Sequence, residues 1–323
     1  MKLIALRVLA SLLVLGFGAA HAQSWPRGTV RIVVPYPAGT EPDMLARDIG
    51  SALAKQTGKA FVVDNKPGAN AIIGTDAVVK AEGDGATLLM VDRLALVTNP
   101  LLYSTLAYKW EESLKPVTDL ARVSLMVGVR SGLPVKNFAE LQAYAKEHPG
   151  KLNVGTGGNG HVTHIGMEML ARAHGMSYSY VPYKGVAPSV VGLASGEIDV
   201  AMAGGLALQT QAQSGRLRLL VIGAPQRAAF APDVPTLVEA GGQADTIPST
   251  VFALFAPSKV PDAVIKQINQ AVAEVVNASP VFKTYGTRGL DVGVSQPADT
   301  LVAMKQDAVK YEKIVREAGI KIE

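Results

Sequence analysis

The chain has 323 residues, 48% of them hydrophobic, with no cysteine and 31 basic against 27 acidic side chains. The missing cysteines exclude disulfides, thiolate catalysis and thiolate metal sites. The near balance of charge gives no argument for nucleic acid or an anionic membrane surface as partner.

Lys2 and Arg7 precede an apolar run over residues 9–18, and Ala20-His21-Ala22 supplies a small-x-small cleavage pattern. This pattern predicts a signal peptide over residues 1–22 and export to the periplasm, with the apolar run too short to span a bilayer. Without Lys2 and Arg7 the remainder carries 29 basic and 27 acidic residues. About 300 residues suffice for two domains and a core that needs no disulfide.

Strand and helix patterns then alternate. Residues 30–34 read as a buried strand, 43–55 as a helix closed by Gly58, 60–64 as a strand, 72–81 as a helix and 87–91 as a strand. The order strand–helix–strand–helix–strand predicts a parallel sheet covered by helices. Further on, strands are expected at 124–129, 152–155, 179–181, 198–202, 215–223 and 249–256. Helices are expected at 138–147, 163–174 and 188–195, a short one from the DVPTLVEAG segment, and two long amphipathic ones at the end. Two α/β lobes with crossovers near 120–126 and 249–256 follow, divided as 23–124 plus 253–323 and 125–252. A cleft between the lobes would receive helix N-termini.

Four loops at strand ends are candidates for binding. In PYPAGTEPD, two prolines stiffen the turn, Gly39 permits close backbone approach, and Asp43 is placed to cap the next helix or to meet a ligand. In VDRLALVTNPLLY, Arg93 either grips a ligand carboxylate or pairs with Asp92 or Glu41 on the rim. GTGGNGHVTHIG, residues 155–166, has the glycines of an anion-binding nest but lacks the Gly-Lys-Ser/Thr ending of a Walker loop. His161 and His164 share a helix face, but a metal site would need a third ligand, so no metal or cofactor is expected. Tyr183 and Lys184 end a strand without the YxxxK spacing of a catalytic pair, and no nucleophile elbow occurs. Binding without catalysis is the expectation.

The ordered strings WPRGTVRIVVPYPAGTEPD, VVDNKPGANAIIGTDAVVKAEGDGATLL, TNPLLY, GGNGHVTHI, VPYKG, ASGEIDVAM and PDVPTLVEAG resemble the tripartite tricarboxylate transporter receptors, the Bug-type periplasmic solute-binding proteins. The resemblance covers nearly all of the chain after the signal peptide. It implies a type II periplasmic binding-protein fold, with two discontinuous α/β domains joined by crossover strands and closing on a small organic acid. It implies delivery of that ligand to the membrane subunits of a tripartite transporter, with a membrane sensor kinase as the alternative partner, and a monomeric receptor. Carried onto this chain, the ligand-binding set is Ala38, Gly39, Thr40, Glu41, Asp43, Arg93, Thr156, Gly158, Asn159, His161, His164 and Tyr183. Thr40, Glu41, Arg93 and the string Ala203-Gly204-Gly205 depart from the usual pattern, the last replacing an Asp-containing string. Glu41 and Arg93 could pair across the cleft, or Arg93 could hold a ligand carboxylate while Glu41 receives an ammonium or hydroxyl group.

Overall fold

Val30–Val34 (β1) is a run of β-branched residues and one arginine, and four of its five side chains are buried. It pairs in parallel with Phe61–Asn65 (β2) on one side and Thr87–Asp92 (β3) on the other. The computed structural model describes residues 25–320, so the signal peptide expected over 1–22 lies outside the described residues. Helix α1 (Glu41–Thr57) joins β1 to β2 and ends on Gly58 at φ 68°, the left-handed cap that glycine adopts without strain. Helix α2 (Ile72–Val79) joins β2 to β3. Two helices were not anticipated: α3 (Arg93–Leu102), capped by the Asp92 side chain, and the single turn α4 (Trp110–Ser113).

Strand β4 (Leu114–Arg130) is 17 residues long, far longer than the expected 124–129. It holds the molecule together. Its first part pairs antiparallel with β9 (Ser249–Pro257), from Leu114↔Pro257 to Ser124↔Ser249. Its last part, from Leu125 on, pairs with β7 (Val200–Gly204), and with β8 (Leu217–Ile222) on the other edge. Between these lie α5 (Phe138–Glu147), β5 (Asn153–Thr156), α6 (Val162–His174), β6 (Ser179–Pro182), α7 (Val186–Ser195) and α8 (Gly205–Gln213), of which α8 was also unanticipated. The continuous sheet order is β2-β1-β3-β9-β4-β7-β5-β6, with β8 and the short β10 (Leu290–Val292) also pairing β4.

The DVPTLVEAG segment forms turns rather than the expected short helix. Thr236 and Glu239 cap each other there, and Gly241 at φ 79° with Gly242 ends the turn. The chain closes with α9 (Asp262–Ala278), α10 (Pro280–Thr284) and α11 (Pro297–Ala318).

Buried side chains cluster on both sides of each half of the sheet. Leu45, Ile49, Leu88, Leu254 and Ile268 pack in one cluster, and Phe138, Val154, Ile165, Leu170 and Val200 in another. Each fully buried Leu or Ile contributes about 2 kcal/mol. Helix α11 serves both halves: Met304 packs with Val33, Leu89 and Phe255, while Tyr311 and Val315 pack with Ile165 and Met169.

Candidate functional site

Loop one follows the C-terminal end of β1, loop three that of β5, and α8 follows β7 directly. The N-termini of α1, α6 and α8 thus come after parallel strand ends, where open α/β sheets bind ligands. Loop one after β1 is held from within. Asp43 is 2% exposed and accepts hydrogen bonds from the Gly39 N–H (2.8 Å), Asn65 Nδ2 (2.9 Å) and both Arg47 Nε and an Arg47 terminal nitrogen (3.0 and 2.9 Å). Burial alone would raise its pKa, but the hydrogen bonds from Arg47, Gly39 and Asn65 hold it below the usual carboxylate value. Asp43 therefore shapes the loop, and the Gly39 N–H is already engaged. The Thr40 hydroxyl donates to the Pro37 carbonyl (2.7 Å), while Ala38 is exposed at the tip.

Loop three is built around two histidines. The Thr163 N–H donates to Nδ1 of His161 (3.2 Å), and the Gly160 N–H donates to Nδ1 of His164 (3.1 Å). An Nδ1 that accepts leaves the imidazole proton on Nε2, so each neutral ring keeps one N–H donor. Burial pushes the His161 pKa down to about 4, with His164 adding to the effect, and burial also lowers that of His164. The His161 ring lies against Gly157, where a Cβ would stand 2.8 Å from Nδ1. Thr156 is buried, and its hydroxyl bridges the Gly158 N–H and carbonyl at 3.3 Å each. Asn159 is exposed.

The two walls touch at a place the sequence reading did not single out. Ala69, Asn70 and Ala71 have φ of 46, 48 and 71°, three successive left-handed residues with a Cβ. Each such residue costs about 1–2 kcal/mol. Asn70 Nδ2 donates to Asn99 Oδ1 (2.8 Å) and reaches the Gly160 carbonyl on the facing wall (3.4 Å), while Asn99 Nδ2 donates to the Asn70 carbonyl (2.9 Å). The sign in the sequence is Asn70 in the PGAN string, a residue type that tolerates positive φ.

Arg93 and Glu41 do not pair. Arg93 is 7% exposed and lies between Asp119 on β4 (3.4 Å) and Asp307 on α11 (3.3 Å). It lines a cavity of about 390 Å³ with Asp92, Arg122, Ser124, Asp307 and Tyr311, to which no residue of loops one or three contributes. Adjacent strand residues face opposite ways, and Val123, between Arg122 and Ser124, points toward Gly204 and Glu41. The Arg93 cavity is thus behind the crossover strands. Burial raises the pKa of Asp92 to about 7, and those of Asp119 and Asp307 rise for the same reason against the pull of the Arg93 guanidinium.

Tyr183 turns inward as well. Its ring packs over Gly155, and a Cβ on Gly192 would overlap its hydroxyl. Lys184 is exposed. Among the described residues, no group of three or more His, Cys, Asp or Glu could hold a metal ion, and no helix is long and apolar enough to cross a membrane.

The profile of the tripartite tricarboxylate transporter family receptor matches residues 45–320. The chain belongs to that family. Protein BugT of Bordetella pertussis is 29% identical to this receptor over 302 residues, covering 93% of this chain and 92% of BugT. A protein of R. palustris solved with adipate superposes with a TM-score of 0.86 at 30% identity, covering 93% of the receptor and all of that structure. MatC of Rhodopseudomonas palustris with bound malate gives 0.81 at 27%, covering 90% and 100%. The receptor thus has the two-lobed α/β fold of periplasmic solute-binding proteins, and its family is one of receptors rather than enzymes.

Proposed function

We propose that this receptor, exported to the periplasm, binds a small organic carboxylate in the cleft between its lobes and delivers it to the membrane subunits of a tripartite tricarboxylate-type transporter. The observation that carries the reading is the donor set of loop three. Two neutral imidazole N–H groups beside the N-terminus of α6 suit an anion without adding a second full charge to be desolvated. The adipate and malate of the two solved relatives are of the same chemical class. Of the ligand residues carried over from the family, Thr156, Gly158, Asn159, His161 and His164 make the lobe 2 wall. Ala38, Thr40 and Glu41 make the lobe 1 wall, with Gly39 and Asp43 shaping it.

The lobes are taken as 23–124 plus 253–323 and 125–252. The first boundary is supported by the change of partner along β4, from Ser124↔Ser249 to Leu125↔Gly204.

A melting-temperature screen over C3 to C6 mono-, di- and tricarboxylates and aromatic acids, with neutral sugars as controls, tests the reading. A ligand at about a hundred times its Kd adds about 2.7 kcal/mol to the folded state, a rise of several degrees. At least one carboxylate should give that rise and none of the sugars should. Stabilisation by sugars alone would overturn the proposal.

A further inference from the structure

Gly204 closes β7 with φ −60° and ψ 148°, backbone that any residue adopts, so conformation does not require glycine there. It is also the N-cap of α8, a place that favours Ser, Thr, Asp or Asn, and no side chain caps that helix. The space explains the glycine. A Cβ on Gly204 would stand 3.2 and 3.4 Å from the two carboxylate oxygens of Glu41 and 3.0 Å from Val123 Cγ1. An acid from the first turn of α1 therefore occupies, across the cleft, the place of the missing cap.

Among the described residues, no hydrogen bond or ion pair reaches the Glu41 side chain, although a carboxylate can accept about four hydrogen bonds. Burial pushes its pKa up to about 7, the expected response to lost hydration without a compensating donor. His161 and His164, proposed above as neutral donors to a ligand carboxylate, belong to the other wall. What the Glu41 carboxylate lacks is a hydrogen bond, and a ligand hydroxyl or ammonium group would supply one.

We propose that Glu41 is a specificity-determining residue, which selects carboxylates bearing a hydroxyl or ammonium group over the same carboxylates without it. The inference rests on the reading of the cleft as a carboxylate site. A ligand that brought a bare second anion to this end would set two negative charges together.

Calorimetric titration at pH 8, where Glu41 is ionised, provides the test with ligand pairs that differ by one donor: malate or aspartate against succinate, and mandelate against phenylacetate. The wild type should prefer the donor-bearing member of at least one pair tenfold or more. Glu41→Gly should reduce that preference to threefold or less. Gly204→Asp added to Glu41→Gly should restore at least part of it, because its carboxylate returns to the vacated space from the other lobe. Glu41→Gln, close in shape, controls for folding by its melting curve. Equal binding within every pair, or a preference that survives Glu41→Gly, overturns the role of Glu41 while leaving the carboxylate site standing. Failure of all five compounds and of the wider acid screen to bind overturns both.

Discussion

At the scale of single residues, His161 shows how a neutral group is kept neutral. Its Nδ1 accepts from the Thr163 N–H and its ring is buried against Gly157, so protonation would break a hydrogen bond and charge a desolvated ring. With a folded pKa of about 4 against an ordinary 6.5, the unfolded chain binds this proton first. Folding stability contributed by this residue is therefore complete above pH 6.5 and declines as pH falls toward 4. Between pH 7.5 and pH 5 the loss is about 2 kcal/mol. Glu41 and Asp92, whose pKa values are raised to about 7, act in the opposite sense over this range. The His161 share is therefore read as the change in pH dependence of the urea midpoint between wild type and His161→Gln. An equal difference in the variant would place the pH dependence elsewhere. Asp43 offers a second residue-scale expectation. Asp43→Ala removes the acceptor of Gly39, Asn65 and Arg47, and should lower stability by about 2 kcal/mol in denaturant titration, since Arg47 is half-exposed and can rehydrate. Here the sequence was legible in part: an acid at the start of a helix after a Pro-Ala-Gly turn reads as its cap. Helix α1 has no side-chain cap, and Asp43 accepts instead from the Gly39 N–H, one residue before the N-cap Thr40. Its bidentate partner Arg47 follows one turn later.

At the scale of elements, what was legible depended on periodicity. Helix α5 matches its expected 138–147 because Asn137 caps it and its buried residues recur at helical spacing. The first half of β4 escaped notice because Pro116, Asp119 and two register shifts interrupt its alternation. Helix α3 was hidden by Pro100 and by the lack of a single polar face, since Arg93, Thr98 and Asn99 are spread among its apolar residues, which fits an element buried between both halves of the sheet. The left-handed segment Ala69–Ala71 carried a sign only at Asn70, because alanine gives no local sign of positive φ. Strain of this kind persists only where the surroundings impose it, and here Asn99 and Gly160 grip Asn70 from two sides. Asn70→Ala should release the contact between the walls at a cost of about 0.5–1 kcal/mol. A ligand dissociation rate two- to fivefold faster, measured by stopped flow, is the expected outcome. An unchanged rate would show that the contact does not hold the closed cleft.

At the scale of the whole molecule, the Arg93 cluster joins three elements that must move together or not at all: the end of β3, the middle of β4 and helix α11. The sequence placed Arg93 correctly at a strand end. Its partners stand on a crossover strand and on the last helix, where no spacing rule reaches them. Three carboxylates, Asp92, Asp119 and Asp307, surround one buried guanidinium, and each has its pKa raised by burial. Removing the cation alone leaves those acids facing each other behind the crossover strands. Loss of one partner of a buried pair costs about 3–5 kcal/mol, whereas replacing the whole set by apolar groups of similar volume is often neutral. Arg93→Met should therefore lower stability by about 3 kcal/mol while shifting carboxylate affinity by less than threefold, because loops one and three contribute nothing to that cavity. Arg93→Met combined with Asp119→Leu and Asp307→Leu should recover most of the lost stability. Denaturant titration and calorimetry on the same samples separate the two effects. A tenfold loss of affinity with stability intact would return Arg93 to the ligand. The opposite pattern makes it the ionic joint on which the lobes are mounted.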